Sequence, residues 1–320
     1  MKLQTTLTIP KLHDPITYDS KIVSVGSCFA VHMAEKFKRF QFISSVNPFG
    51  ILFHPLAIEK LFQFLIDEKH FTEEDVFIYD EIWSSYDAHS DLDALSQEEI
   101  VSNLNKKLNG FKKDITEATH LILTLGTAWV YRNNESQQVV ANCHKVPQRH
   151  FTKEIVSVEQ IVENLNKISA VLQQINPQIT VLFTISPVRH IKDGFVENQR
   201  SKAHLIAALH QFLEENPSDK KYYFPSYELM MDELRDYRFY SADMLHPNEL
   251  SVEYIWNAFI ESCMSSESAV LMKKVDEVQK GLAHRPFNPY SEKHQQFLET
   301  LAQKLDELLE KYPFMNFRIR

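Results

Sequence analysis

Short apolar runs alternate with longer amphipathic stretches along most of the chain. Three of the runs, at 21–25, 120–127 and 179–185, are mainly apolar and rich in β-branched residues, which is typical of buried strands. Between such runs the apolar residues recur at helical spacing, as they do from residue 29 to residue 40. This alternation predicts an α/β fold with a doubly wound, mostly parallel sheet and helices on both faces.

Further elements follow from the same periodicities. Short strands are predicted at 41–45 and 222–224, and helices at 96–111, 157–174, 198–215 and 249–263. Two segments, 75–90 and 128–142, each contain paired apolar runs around a polar turn and are predicted to be hairpins inserted into the α/β frame.

The character of the sequence changes near residue 265. Ser265 to Ser268 and the segment 285–289 interrupt the pattern, and an apolar stripe on a charged helix then runs from Phe297 to Tyr312. We therefore divide the chain into an α/β domain, 1–264, and a C-terminal helical extension, 265–320. We expect the extension to pack on the core; the alternative is a helix that pairs with a second copy and makes the protein a homo-oligomer.

Composition limits the classes of partner. The formal net charge is −9, from 34 basic and 43 acidic residues, which argues against nucleic acid and anionic membrane as partners. No apolar run approaches the ~20 residues of a membrane helix, and the N-terminus has no signal-peptide pattern. The three cysteines match no zinc spacing and suggest no disulfide framework. We expect a cytoplasmic protein that has no metal and no cofactor.

The stretch around Gly26, Ser27 and Cys28 joins the first predicted strand to the first helix. A glycine permits a sharp turn and a close approach of a ligand, and the free N–H groups of a helix N-terminus favour negative charge. Such a turn suits a nucleophile and the oxyanion that forms when it attacks a carbonyl. The alternative is an ordinary β–α turn in which small residues simply fit.

A second polar group, Asp243 and His246, lies in a loop before the predicted helix 249–263. The imidazole can act as a general base while the carboxylate fixes its tautomer and orientation. In a parallel sheet, this loop and the Gly26 turn are expected at the same edge, beyond the carboxyl ends of the strands.

Five motifs resemble the GSCFA family over about residues 20–260. They are Gly26-Ser27-Cys28-Phe29-Ala30, Asn47-Pro48-Phe49-Gly50, Leu125-Gly126-Thr127-Ala128-Trp129, Ser186-Pro187-Val188-Arg189 and Asp243-Met244-Leu245-His246-Pro247. That family is grouped with the SGNH (GDSL-type) hydrolases. The resemblance implies a flavodoxin-like sheet and ester hydrolysis or acyl transfer, often on acylated carbohydrates.

The resemblance also implies roles for residues at the turn and in the loop. SGNH enzymes open with Gly-Asp-Ser, so Cys28 occupies the position of the nucleophilic serine and Ser27 that of the aspartate. Ser27 retains a hydroxyl but lies one residue early, and both side chains stay candidates for the nucleophile. Asp243 and His246 match the last block directly.

The oxyanion-binding groups match less well. Gly50 corresponds to the glycine of the second block, but the third block, Gly-x-Asn-Asp, is replaced by a sequence that begins Gly126-Thr127. The expected asparagine is absent, and Thr127 or Asn47 are the candidates to replace it as a donor. One donor of this kind is worth ~3 kcal/mol to the transition state.

Two more residues are assigned to the cleft. Arg189 can bind a carboxylate or phosphate of the substrate, and His144 is a rival for the role of base. The leading hypothesis is an acyl-ester hydrolase or acyltransferase whose partner is a small-molecule or glycan acyl substrate. The alternatives are a non-catalytic carbohydrate- or metabolite-binding protein, and a thiol redox protein that pairs Cys28 with Cys143.

Overall fold

The computed structural model describes residues 5–317, with Asp193 described by its backbone alone. The described strands are β1 (Lys21–Gly26), β2 (Ile43–Val46), β3 (Phe77–Tyr79), β4 (Ile82–Ser84), β5 (His120–Leu125), β6 (Trp129–Asn133), β7 (Val139–Val140), β8 (Phe151–Ile155), β9 (Thr180–Ile185) and β10 (Lys221–Phe224). The described helices are α1 (Cys28–Arg39), α2 (Pro55–Ile66), α3 (Gln97–Glu117), α4 (Val158–Ile175), α5 (Phe195–Glu215), α6 (Ser226–Glu228), α7 (Glu249–Cys263), α8 (Ser266–Ala283) and α9 (Glu292–Lys311). A π-helical turn, Leu229–Glu233, follows α6.

The central sheet has five strands in the order β10-β9-β5-β1-β2, and every neighbouring pair is parallel. Renumbered among themselves, these strands have the order 2-1-3-4-5 of a flavodoxin-like sheet. The predicted α/β class is therefore confirmed. All five strands end at one edge, and the order reverses between β1 and β5, which is where such sheets bind ligands.

Helices cover both faces of this sheet. Successive residues of a strand point to opposite faces, so Val23 belongs to one core and Ile22 to the other. The first core is built on α2, α3, α4 and α5, with Leu61, Leu104, Leu165 and Leu205 among its buried residues. The second core is built on α1, α7, α8 and α9, with Phe37, Trp256, Val275 and Leu301 among its buried residues.

The two inserted hairpins are present, and the second is larger than the sequence predicts. Strands β3 and β4 pair antiparallel, as expected. Strand β6 pairs with β7 but also with β8, which makes a three-stranded sheet. Strand β8 was missed because its five residues, Phe-Thr-Lys-Glu-Ile, are short and half polar, so only pairing with β6 identifies them as a strand.

The C-terminal region contains one helix more than predicted. Ser265 was interpreted as part of a break, but its hydroxyl accepts a hydrogen bond from the Ser268 N–H at 3.1 Å and caps the start of α8. Helix α9 follows and packs on α8, where Gly281 leaves room for Leu301. Across residues 5–317, no helix is both long and apolar enough to span a membrane.

Candidate active site

The turn between β1 and α1 lies against the end of β5. Gly26 has φ = 145°, and a Cβ at this position would lie 2.1 Å from the Thr124 carbonyl oxygen. The next N–H, that of Ser27, donates to the same oxygen at 3.0 Å. Glycine is required here because two backbones approach closely, and the turn is fixed to the neighbouring strand.

The two candidate nucleophiles differ in environment. Ser27 is fully buried and is the N-cap of α1, with its Oγ accepting from the Phe29 N–H at 3.4 Å. Cys28 is the first residue of α1 and is partly exposed. The thiol is therefore the more accessible of the two groups, while the hydroxyl serves the helix start.

Asn47 follows β2 and holds the same turn. Its Oδ1 accepts a hydrogen bond from the Gly26 N–H at 2.8 Å, which places the side-chain amide beside the turn. Its Nδ2 is buried and has no hydrogen-bond partner among the described residues. The residue has φ = 43°, a conformation that asparagine tolerates better than most residues. A buried N–H donor without a partner, on a side chain bonded to this turn, is suited to bind an oxyanion.

The other predicted donors are used by the fold itself. The Gly50 N–H donates to the Asn47 carbonyl oxygen at 2.9 Å. The N–H groups of Gly126 and Thr127 both donate to the Phe53 carbonyl oxygen, at 2.7 and 3.1 Å. The Thr127 hydroxyl pairs with Ser201 at 2.9 Å. Among the candidates, Asn47 therefore has the free donor.

A buried lysine, Lys202 of α5, lies behind the turn. Its Nζ donates to the carbonyl oxygens of Gly126 and Ser186, both at 2.7 Å, and so bridges the ends of β5 and β9. Burial lowers the pKa of Lys202 to about 7; the Cys28 thiolate favours the charged form and the charge of Arg189 disfavours it. A carboxylate is not among its described partners, so the carbonyl dipoles of Gly126 and Ser186 stabilise the ammonium.

Burial also has the largest effect on the pKa of the Cys28 thiol. It raises the pKa of Cys28, and the opposing effects of the Lys202 charge and of the Phe29 and Cys28 N–H groups only reduce this rise. The helix start and the lysine thus favour the thiolate, as the sequence suggests for a helix N-terminus, but they do not overcome desolvation.

Asp243 and His246 form the predicted pair. The His246 Nδ1 donates to Asp243 Oδ2 at 2.6 Å, and the N–H groups of Leu245 and His246 donate to Asp243 Oδ1 at 2.9 and 3.0 Å. These two backbone amides, together with the ring, lower the pKa of Asp243 to about 2. The aspartate is therefore a carboxylate at neutral pH, and it leaves Nε2 of His246 available to accept a proton.

The loop after β9 links this pair to Lys202. The Arg189 N–H donates to the Leu245 carbonyl oxygen at 3.4 Å. The pKa of His190 is lowered to about 4, mainly by burial and to a smaller extent by the charges of Lys202 and His246. Within residues 5–317, no hydrogen bond joins the His246 ring to Cys28 or Ser27.

His144 has partners on both ring nitrogens. Its Nε2 faces the carbonyl oxygens of Ser85 and Ala88 at 2.8 and 3.1 Å, and its Nδ1 lies 3.1 Å from Asp93. The ring ties the first hairpin to the segment after β7 and has no nitrogen left for a substrate.

A cavity of about 420 Å³ lies beside the second hairpin. Phe53, Tyr131, Val140 and Cys143 are among its lining residues. Phe53 also contacts the site, since a Cβ on Gly126 would lie 2.9 Å from its side chain and 3.2 Å from that of Ser27. Burial raises the pKa of Cys143 to about 11, and all three cysteines are free.

The sequence argument missed Lys202 as a site residue. Lys202 occupies an apolar position of α5, three and seven residues before the buried Leu205 and Leu209. A charged residue in that stripe was the available signal. Within the described part of the chain, no group of three or more His, Cys, Asp or Glu side chains is placed to hold a metal ion.

Comparison with known protein families gives two matches. The model of the GSCFA family matches residues 21–259, and that of the GSCFA domain protein, C-terminal domain, matches residues 275–318. No curated protein matches the chain. The first match covers most of the chain and includes the turn, Asn47, Lys202 and the Asp243–His246 pair. The chain therefore belongs to the GSCFA family.

Proposed function

We propose that this protein is an acyl-ester hydrolase or acyltransferase of the SGNH type, acting on an acylated carbohydrate or a related small molecule. The observation that carries the proposal is the arrangement at the first turn. Cys28 begins a helix and is partly exposed, and Asn47, whose buried side-chain nitrogen has no partner among the described residues, is bonded to Gly26 of the same turn.

In the proposed reaction, the Cys28 sulfur attacks the ester carbonyl carbon while Nε2 of His246 takes the thiol proton. Asp243 keeps the imidazole in the tautomer that can do this. Asn47 Nδ2 donates to the oxyanion. Collapse of the tetrahedral intermediate breaks the ester bond, the alkoxide takes the proton from His246, and a thioester remains on Cys28.

The second half of the reaction removes the acyl group and regenerates the free enzyme. Water or an acceptor hydroxyl attacks the thioester as His246 takes its proton, and the thiolate leaves and is reprotonated. Water as acceptor gives hydrolysis, and a sugar hydroxyl gives transfer. The ring of His246 is half exposed on a loop. Catalytic hydrogen bonds are often long before a substrate binds, which fits its lack of a bond to Cys28.

A second candidate function is a non-catalytic carbohydrate- or metabolite-binding protein on the same scaffold. It is favoured by the amides of Gly50, Gly126 and Thr127, which serve the fold rather than a free oxyanion site. This function predicts ligand binding that is unchanged in kind by Cys28→Ala. We also propose a cytoplasmic location, which the three free thiols support.

The proposal is tested by hydrolysis of 4-nitrophenyl acetate by the wild type, Cys28→Ala, Ser27→Ala and His246→Ala. Cys28→Ala and His246→Ala are expected to lose the enzyme-dependent rate, and Ser27→Ala to retain most of it. A panel of acetylated sugars is tested as well, because a selective enzyme would not hydrolyse 4-nitrophenyl acetate. A wild type no faster than Cys28→Ala and His246→Ala on every ester would contradict the proposal and favour the binding function.

A further inference from the structure

A second cavity, of about 490 Å³, is lined in part by the loop that follows β9. Its lining includes Arg189, Met231, Arg235, Tyr237, Tyr240 and Met244. The carboxylate of Asp236 also lines the cavity and pairs with Arg238 at 2.8 Å. The rings of Tyr237 and Tyr240 lie 5.8 Å apart, centroid to centroid. The cavity thus combines two arginines with two neighbouring aromatic rings, which suits a substrate that carries both a charge and a flat or ring-shaped body.

The two arginines of this cavity differ in their partners. Arg235 pairs with Asp232 at 3.2 Å. Arg189 donates to the Met231 sulfur at 3.0 Å, and no carboxylate among the described residues lies within ion-pair distance of it. A thioether is a weak acceptor, so the guanidinium of Arg189 has unused donors in a partly buried position.

The position of Arg189 relates this cavity to the proposed catalytic groups. Its backbone N–H donates to Leu245, next to His246, and Met244 on the same loop lines the cavity. A molecule in the cavity would therefore extend towards the loop of His246.

We propose that Arg189 binds an anionic group of the substrate, a carboxylate or a phosphate, while the rings of Tyr237 and Tyr240 contact its body. A planar guanidinium donates two parallel hydrogen bonds to such a group, which a lysine cannot do. The identification of this anion with the acyl substrate rests on the proposed function. The anion site itself does not, because it involves neither Cys28 nor His246.

The binding test uses inorganic phosphate and succinate as probes and isothermal titration calorimetry as the readout. Wild type and Cys28→Ala are expected to bind at least one probe equally well. Arg189→Gln is expected to weaken that binding at least ~10-fold, and Arg189→Lys to give an intermediate value, because charge remains without the bidentate geometry. Arg200→Gln, at an exposed arginine of α5 that does not line the cavity, is the matched control, and its affinity should stay within about twofold.

Equal affinities in wild type and Arg189→Gln, or no binding of either probe by the wild type, would overturn the proposal. Thermal unfolding of each variant shows whether it is folded. Among the described residues the Arg189 side chain bonds to a thioether alone, so we expect little change. A protein that binds the probes through Arg189 but hydrolyses no ester would retain the anion site while refuting the acyl-transfer function.

Discussion

The side-chain amide of Asn47 is held against Gly26 by one hydrogen bond, from the Gly26 N–H to Oδ1 at 2.8 Å, and its Nδ2 is buried with no partner in the part of the chain that the structure describes. An unpaired buried donor costs free energy, so its retention calls for an explanation. An oxyanion that develops on a substrate bound at Cys28 would supply the missing acceptor.

Asn47→Asp tests this role. Aspartate keeps the oxygen that accepts from Gly26 and tolerates the positive φ, but it removes the donor. Loss of an oxyanion donor lowers kcat by ~100- to 1000-fold, and we expect a loss at least as large here because a negative charge is added. The measurement is steady-state ester hydrolysis, with thermal unfolding to show that the fold is kept.

The matched control for this variant is Asn134→Asp. Both amide atoms of Asn134 bond within the second hairpin, to Arg149 and Thr152, on an exposed turn away from the site. Its activity should stay close to that of the wild type. If Asn47→Asp hydrolyses esters as fast as Asn134→Asp, Asn47 does not bind the oxyanion.

Substitution of Ser27 is expected to lower the stability of the protein, whereas substitution of Cys28 is expected to abolish its activity. Ser27→Ala removes the N-cap of α1 and should lower the free energy of unfolding by ~1 kcal/mol, as measured by urea denaturation, with most of the hydrolysis rate retained. Ser157→Ala, which removes the N-cap of α4, is the control and should show a similar loss of stability. Hydrolysis that disappears in Ser27→Ala but persists in Cys28→Ala would assign the nucleophile to Ser27 instead.

Lys202 is expected to promote the reactivity of Cys28. Its charge lowers the pKa of the thiol against the opposing effect of burial, so Lys202→Met should move the pH profile of Cys28 alkylation to higher pH. Iodoacetamide labelling followed by peptide mapping measures this rate for each cysteine. Cys143 is an internal control, because Lys192 and not Lys202 is its charged neighbour. Identical profiles for Cys28 in both proteins would show that the lysine has no such effect.

Buried histidines should make the fold sensitive to acid. Burial lowers the pKa of His54 to about 4 from 6.5, so between these pH values the unfolded state binds a proton that the folded state does not. The contribution of His54 to stability is therefore complete above pH 6.5 and is lost as the pH falls towards 4.

His54→Asn removes this titration while keeping an N-cap for α2. Its free energy of unfolding should fall less steeply between pH 6.5 and 4, by up to ~1.4 kcal/mol per pH unit for the one proton removed. Urea denaturation across this pH range measures both slopes. Equal slopes in wild type and variant would refute the assignment.

The sequence predicts those parts of the site that depend on local pattern. The strand that ends at Gly26 and the helix that begins at Cys28 each have their own periodicity, and the rule for parallel sheets places the polar strand ends at one edge. The pairing of Asp243 with His246 is likewise local, since three residues separate them and the bonds close within one turn.

The remaining parts depend on contacts between distant segments. Asn47 lies 21 residues from Gly26, and Lys202 lies 76 residues from Gly126, so neither bond has a signature in the sequence. The same holds for the backbone partners of Gly50 and Thr127, which decide whether their amides are free. Strand β8 is comparable, because pairing with β6 rather than its own composition makes it a strand.

A covalent acyl-enzyme is the decisive species. The wild type is mixed with 4-nitrophenyl acetate, quenched in acid after less than one turnover, and examined by intact-mass and peptide mass spectrometry. We predict an added mass of one acetyl group on the peptide that contains Cys28, absent in Cys28→Ala and accumulating in Asn47→Asp far more slowly. An unmodified Cys28 peptide during measurable hydrolysis, or an acetyl group on Ser27, would contradict the assignment of Cys28 as the nucleophile.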